Sequence, residues 1–129
     1  MDLESECEKH LKCTIKCAFD IGCFDMEVYS LLLKKNPLTV DELADALGKD
    51  KSTVYKSLQK LLEKGIVERD FRILKAGGYR YLYKPIPFSE FKQKMVKAVD
   101  FWTKSLFEYL QKLEKIEKEK LEELLFVKD

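Results

Sequence analysis

The sequence predicts a mainly α fold with a small β-hairpin wing: a winged helix-turn-helix with an added N-terminal helix and a long C-terminal dimerisation helix. Three observations predict it. Two adjoining helix signatures lie between Leu38 and Lys64, a Gly-tipped pair of strand patterns follows directly, and a heptad pattern runs on from Met95 without Gly or Pro. The chain divides accordingly into a Cys-rich helix at 1–23, the winged unit at 24–87 and the C-terminal helix at 88–127.

In the first segment Leu3, Cys7, Leu11, Thr14, Ala18 and Ile21 share one helical stripe, with His10 and Cys17 beside it. Such a stripe packs on the winged unit or joins a dimer interface. Asp25 to Lys35 forms the next helix, with Val28, Leu31 and Leu32 inward. It ends at Asn36-Pro37, because the residue before a proline is pushed out of the helical region.

Thr39-Val40-Asp41-Glu42 opens the first helix of the central pair: the Thr39 hydroxyl accepts from the Glu42 amide while the Glu42 carboxylate reaches back. Leu43, Ala44 and Leu47 supply its apolar side, and Gly48 stops it in the left-handed conformation that glycine adopts without strain. Asp50 caps the second helix, Lys51 to Lys64, where its charge suits the positive end of the helix dipole. Val54, Leu58, Leu61 and Leu62 turn inward. The other side shows Lys51, Ser52, Thr53, Tyr55, Lys56, Gln59 and Lys60, groups that read base edges or grip phosphates when such a helix enters a major groove.

Gly65 ends that helix, and Ile66-Val67 begins an apolar strand. Ala76-Gly77-Gly78 reverses the chain into Tyr79 to Lys84, whose Tyr79, Tyr81 and Tyr83 share a face at period two. All three arginines of the chain, Arg69, Arg72 and Arg80, fall in this hairpin. Arginine is the side chain best shaped for bidentate phosphate contact and for a narrow minor groove, so the placement favours nucleic acid over a generic surface.

After Pro85 and Pro87, Ser89 is the expected N-cap of a helix reaching about Leu125. Met95, Val99, Trp102, Leu106, Tyr109, Leu113 and Ile116 alternate steps of four and three, a heptad seam held for three repeats. At 1.5 Å per residue this helix spans roughly 50 Å, more than the winged unit can cover. The expected partner is the same helix of a second copy; the alternative is a helix folded back on its own domain.

The net charge of +1 is uninformative, but its distribution is not. Residues 49–84 hold ten Lys or Arg against four Asp or Glu, residues 1–48 hold five against ten, and residues 85–129 hold nine of each. Positive charge is thus concentrated on the expected reading surface. Glu, Lys and Asp interrupt Met1 to Gly22 throughout, so neither a secretory signal nor a membrane span is expected and the location is cytoplasmic. With one histidine, no Gly-rich phosphate loop, no GxSxG elbow and no HExxH, an enzyme is not expected.

Cys7, Cys13, Cys17 and Cys23 all lie in the first 23 residues, and His10 lies among them. One reading is a metal or redox site, holding zinc or an iron-sulfur cluster or forming a thiol/disulfide switch. The other treats Cys as a small buried hydrophobe in a cytosolic helix. The spacing lacks a CxxC pair, and one straight helix cannot surround an ion with four ligands.

Leu38-Thr39-Val40-Asp41-Glu42-Leu43-Ala44, Ser52-Thr53-Val54-Tyr55 and Leu61-Leu62-Glu63-Lys64-Gly65-Ile66-Val67 resemble the archaeal TrmB-type winged-helix regulators, with MarR-like and ArsR-like repressors as neighbours. The resemblance covers residues 24–91. It implies a dimeric transcription factor whose second helix reads double-stranded DNA at an operator, which two-fold symmetry makes an inverted repeat with reading helices about 34 Å apart. On that reading Ser52, Thr53, Tyr55, Lys56 and Gln59 enter the major groove and Lys51 and Lys60 grip phosphate. Arg72, Lys75 and Arg80 of the wing touch backbone or minor groove. The competing expectation is a winged helix used for protein contact, or an architectural nucleic-acid binder without operator specificity.

Overall fold

The structure, a computed structural model, describes residues 3–113 and 118–126. Helices α1 (Leu3–Phe19), α2 (Cys23–Lys34), α3 (Val40–Leu47) and α4 (Lys51–Glu63) precede an antiparallel hairpin of β1 (Val67–Ile73) and β2 (Tyr79–Pro85). Helices α5 (Phe88–Leu113) and α6 (Lys118–Leu125) complete the chain. This is the expected winged helix-turn-helix: α2, α3 and α4 pack together, and the hairpin closes on α2, α3 and α4.

Local chemistry ends the helices where the sequence placed the signals. Thr39 Oγ1 accepts from the Glu42 amide at 3.1 Å while Glu42 Oε1 accepts from the Thr39 amide at 3.1 Å. Gly48 terminates α3 with φ of 64°, and Asp50 Oδ1 accepts from the Thr53 amide at 2.8 Å to start α4. At the wing, β1 and β2 pair from Val67↔Pro85 to Ile73↔Tyr79, and Leu38 adds a single bridge to Tyr83 through two hydrogen bonds of 2.8 and 3.0 Å. Leu38 thereby ties the start of the helix pair to the hairpin.

The core gathers Val28, Leu32, Leu43, Val54, Leu58, Leu61, Ile66 and Tyr83, all without solvent exposure. Phe91 of α5 joins it, stacking on Tyr29 at 5.3 Å and on Phe19 of α1 at 5.9 Å. Burial pushes the Tyr29 phenol up to about 12. Tyr83 is held above its ordinary value by the same desolvation, with nearby Arg69 acting in the opposite sense. Its buried hydroxyl makes no hydrogen bond of ordinary geometry.

Three flanking details differ from the sequence expectation. In α1 the buried residues are Ile15 and Phe19, whereas Leu3, Cys7 and Leu11 of the expected stripe are exposed. The inward stripe is rotated by the large Phe19 ring, which reaches Phe91 where a cysteine or alanine would not. Helix α5 starts at Phe88, so Ser89 lies inside its first turn; the Pro87 carbonyl accepts from the Phe91 amide at 3.0 Å, and the fixed φ of proline suits a helix start.

The third concerns the heptad seam. Met95 packs on the chain's own core, and Val99 lines a groove with Leu11 and Thr14 of α1. The first part of the seam is therefore partly covered within the chain. Leu106 and Tyr109 are exposed, Trp102 and Leu113 are half-buried, and Ile116 lies outside the described residues.

Candidate nucleic-acid interface

Helix α4 divides as its spacing requires. Val54, Ser57, Leu58 and Leu61 are buried, while Lys51, Ser52, Thr53, Tyr55, Lys56 and Lys60 are exposed and Gln59 is half-buried. The amino end is held by Asp50, whose carboxyl is kept below the usual carboxylate range by hydrogen bonds from the Thr53 side chain and amide and from Ser52. Ser52 Oγ donates to Asp50 Oδ1 at 3.2 Å. Lys51 Nζ sits 3.0 Å from Asp41 in an exposed pair, a contact weak enough to exchange for another anion.

Lys60 has a different setting. Its ammonium is 3.4 Å from Oδ2 of Asp25, a buried residue of α2. Ser57 Oγ donates to Asp25 Oδ1 at 2.6 Å, and the Gly22 amide donates to Asp25 Oδ2 at 2.8 Å. Three partners from the α1–α2 junction and from α4 thus converge on one carboxylate. Pulling Lys60 outward would leave a nearly buried carboxylate without its cation, so the pair ties α4 to the start of α2. Sequence reasoning missed this bracket. Its visible sign was Ser57, a polar residue placed on the stripe between Val54 and Leu61.

The hairpin register gives the wing two unlike faces. Arg72 and Arg80 stand directly opposite one another, as do Glu68 and Lys84. Lys84 Nζ lies 3.7 Å from Glu68 and 3.4 Å from Asp70, so those acids are matched on this face. Among the described residues no arginine enters an ion pair. Like charges opposite each other across a strand pair are destabilising, and an arriving anion relieves them. Lys75 is exposed in the connecting turn.

The other face carries Arg69, Phe71, Ile73, Tyr79, Tyr81 and Tyr83. The Arg69 guanidinium lies 4.2 Å above the Tyr81 ring, a cation–π contact absent from the expected site. Tyr81 and Tyr83 share a shallow concavity with Tyr55 of α4, Thr39, Asp41 and Arg80. Helix α4 and the wing therefore border one continuous surface.

The N-terminal candidates do not converge. Cys7, Cys13, Cys17 and Cys23 are free and exposed, and among the described residues no group of three or more His, Cys, Asp or Glu side chains, His10 included, is placed to hold a metal ion. One close contact involves them: Lys16 Nζ donates to Cys23 Sγ at 2.8 Å, which raises the lysine above its ordinary pKa.

This fold, with a capped helix exposed along one side beside a cationic hairpin, is the winged helix-turn-helix. The family model of the sugar-specific transcriptional regulator TrmB matches residues 15–89, and the chain belongs to that family, whose members are regulators rather than enzymes. An uncharacterised protein of Methanocaldococcus jannaschii, MJ1503, is 35% identical over 98 residues, 76% of this chain and 74% of its own length. A possible transcriptional regulator from Methanosarcina mazei Go1 is 32% identical and superposes with a TM-score of 0.70 over 81% of this chain and 88% of its own. The S. aureus MepR–DNA complex, at 19% identity, shares the fold with a TM-score of 0.51 over 95% of this chain and 86% of its own. Among the described residues no helix is long and apolar enough to cross a membrane.

Proposed function

We propose that the chain is a sequence-specific regulator that binds double-stranded DNA as a homodimer, each protomer placing α4 in a major groove and its wing against the adjacent backbone. The observation that carries this reading is the pair Arg72↔Arg80, held opposite each other with neither guanidinium in an ion pair among the described residues, and next to a helix that offers Ser52, Tyr55 and Lys56 on its exposed side and Gln59 at its edge. Such a surface is electrostatically incomplete until it meets phosphates. MepR, of the same fold, has been seen on DNA.

Within this reading Ser52, Thr53, Tyr55, Lys56 and Gln59 read bases, while Lys51, Lys75, Arg72 and Arg80 take phosphate. Lys60 contributes through its hold on Asp25. The homodimer is supported by Phe101, Phe107 and Leu110 of α5, large apolar side chains left in solvent beside Leu106 and Tyr109. At the N-terminus the Lys16–Cys23 contact favours thiol chemistry over a metal. DNA affinity unmoved by peroxide would remove that element.

Selection of bound duplexes from a random pool tests the whole. An inverted repeat with half-sites about one helical turn apart is expected. Gln59→Ala should relax preference at one position of each half-site by about 1–3 kcal/mol. A pool that never enriches, with negligible affinity at low salt, would favour a protein-contact role instead.

A further inference from the structure

The proposed duplex contact employs the guanidinium side of the wing and leaves its aromatic face unused. There Phe71 stacks on Tyr79 with centroids 5.1 Å apart, and Tyr81 meets both rings edge-on at 5.7 and 5.8 Å. Phe71, Tyr79 and Ile73 are 52%, 62% and 80% exposed. A hairpin face turned to water ordinarily alternates to polar residues, so an apolar face of this extent marks a contact.

We propose that this face is a wedge for a base step of duplex DNA, partly unstacked on the minor-groove side next to the half-site read by α4. The inference rests on the duplex-binding reading. Three features identify the occupant. The rings present flat π faces, which match any nucleobase. Ile73, opposite Tyr79 at the outer end of the hairpin, supplies the aliphatic edge with which minor-groove proteins part neighbouring bases. Charge decides the rest: the aromatic face carries Arg69 and no acid, since Glu68 and Asp70 project to the opposite side where Lys84 matches them. A nucleic acid combines the flat apolar surface and the bordering anions that this face would meet.

The face also continues, through Tyr81 and Tyr83, into the concavity shared with Tyr55. A base step engaged by Phe71 and Tyr79 would therefore neighbour the groove that α4 occupies, and the wedge would contribute preference for easily opened pyrimidine–purine steps without a hydrogen bond to any base.

Mismatch scanning tests this. In the selected duplex, a single mismatch moved along the site prepays the opening of one step, so at one position beside each half-site the wild-type protein should bind roughly 5- to 30-fold tighter. The Phe71→Ala/Tyr79→Ala protein should keep the half-site bases read by α4, lose the preference at the flanking step and lose that gain, whereas Phe71→Tyr should retain it. No tightening at any position, or a gain that survives in the double alanine variant, would overturn the wedge while leaving duplex binding in place. Tighter binding to the single strand than to every duplex would overturn it in favour of an unpaired-strand site. Failure to bind any duplex would remove the proposed function and the wedge together.

Discussion

The winged unit and the long C-terminal helix carry apolar stripes of similar strength, yet they end in opposite states. Between Leu38 and Tyr83 the stripes close on one another until Leu43, Val54, Leu58 and Leu61 have no exposure, whereas on α5 only Phe91 is buried and Phe101 and Phe107 remain 75% and 69% exposed. Periodicity says which residues need cover. It does not say whose surface provides it. Four short elements meeting at angles can enclose a core within one chain, while a 26-residue rod outruns them after its first turns.

That contrast can be broken most sharply by emptying one side of it. Leu58→Ala leaves a hole in a closed core and should cost about 2–5 kcal/mol in urea unfolding, whereas Phe107→Ala on the open face should leave the protomer's own stability nearly unchanged. Equal losses that do not change with protein concentration would mean that α5 is covered within the chain. Next in size is the effect of charging the open face: if the proposed homodimer forms through it, Leu106→Glu/Leu110→Glu should convert the dimer to monomers in sedimentation and lower affinity for an inverted repeat about a hundredfold, because two linked half-site contacts become one. A variant that stays dimeric would place the interface elsewhere.

The smallest effect sharpens the comparison within the winged unit itself. Thr39→Ala removes the cap of α3 and should cost about 1 kcal/mol. The matching carboxyls titrate in a defined window. Glu42 is lowered first by its backbone hydrogen bond with Thr39, and Asp50 first by the Thr53 side chain. Both folded values lie below the unfolded values near 4, so their support is complete above about pH 4 and is lost as pH falls through the lowered values. Urea midpoints between pH 7 and pH 2.5 should fall at the acid end, and less steeply in Glu42→Gln/Asp50→Asn. An identical acid slope in that variant would show that other groups govern the loss.

Much of the winged unit was legible because its signals are local. A Thr with Glu three residues on, a Gly after a helix, an Asp before one and a Gly-Gly pair between strands each act within four residues, and each is found where the sequence placed it. The exposed side of α4 was legible for the same reason. What escaped depends on separation in sequence. Asp25 and Ser57 are 32 positions apart, and the role of Lys60 follows from that pairing. The cation–π contact of Arg69 with Tyr81 required the hairpin register, which slides every side chain to the other face if moved by one residue. In α1, polarity alone did not separate Leu11 from Ile15 and Phe19; the position of Phe91 did.

The Asp25 bracket separates the side of α4 that carries the proposed base contacts from the side by which α4 is aimed. Its fastenings, Ser57 and Lys60, occupy the inner side and flank of the helix, while Ser52, Lys56 and Gln59 occupy the outer side and carry none of the attachment. On the proposed reading the outer three can therefore be exchanged to change the target sequence while the rod keeps its bearing, in the way a key blank is recut without altering its shank.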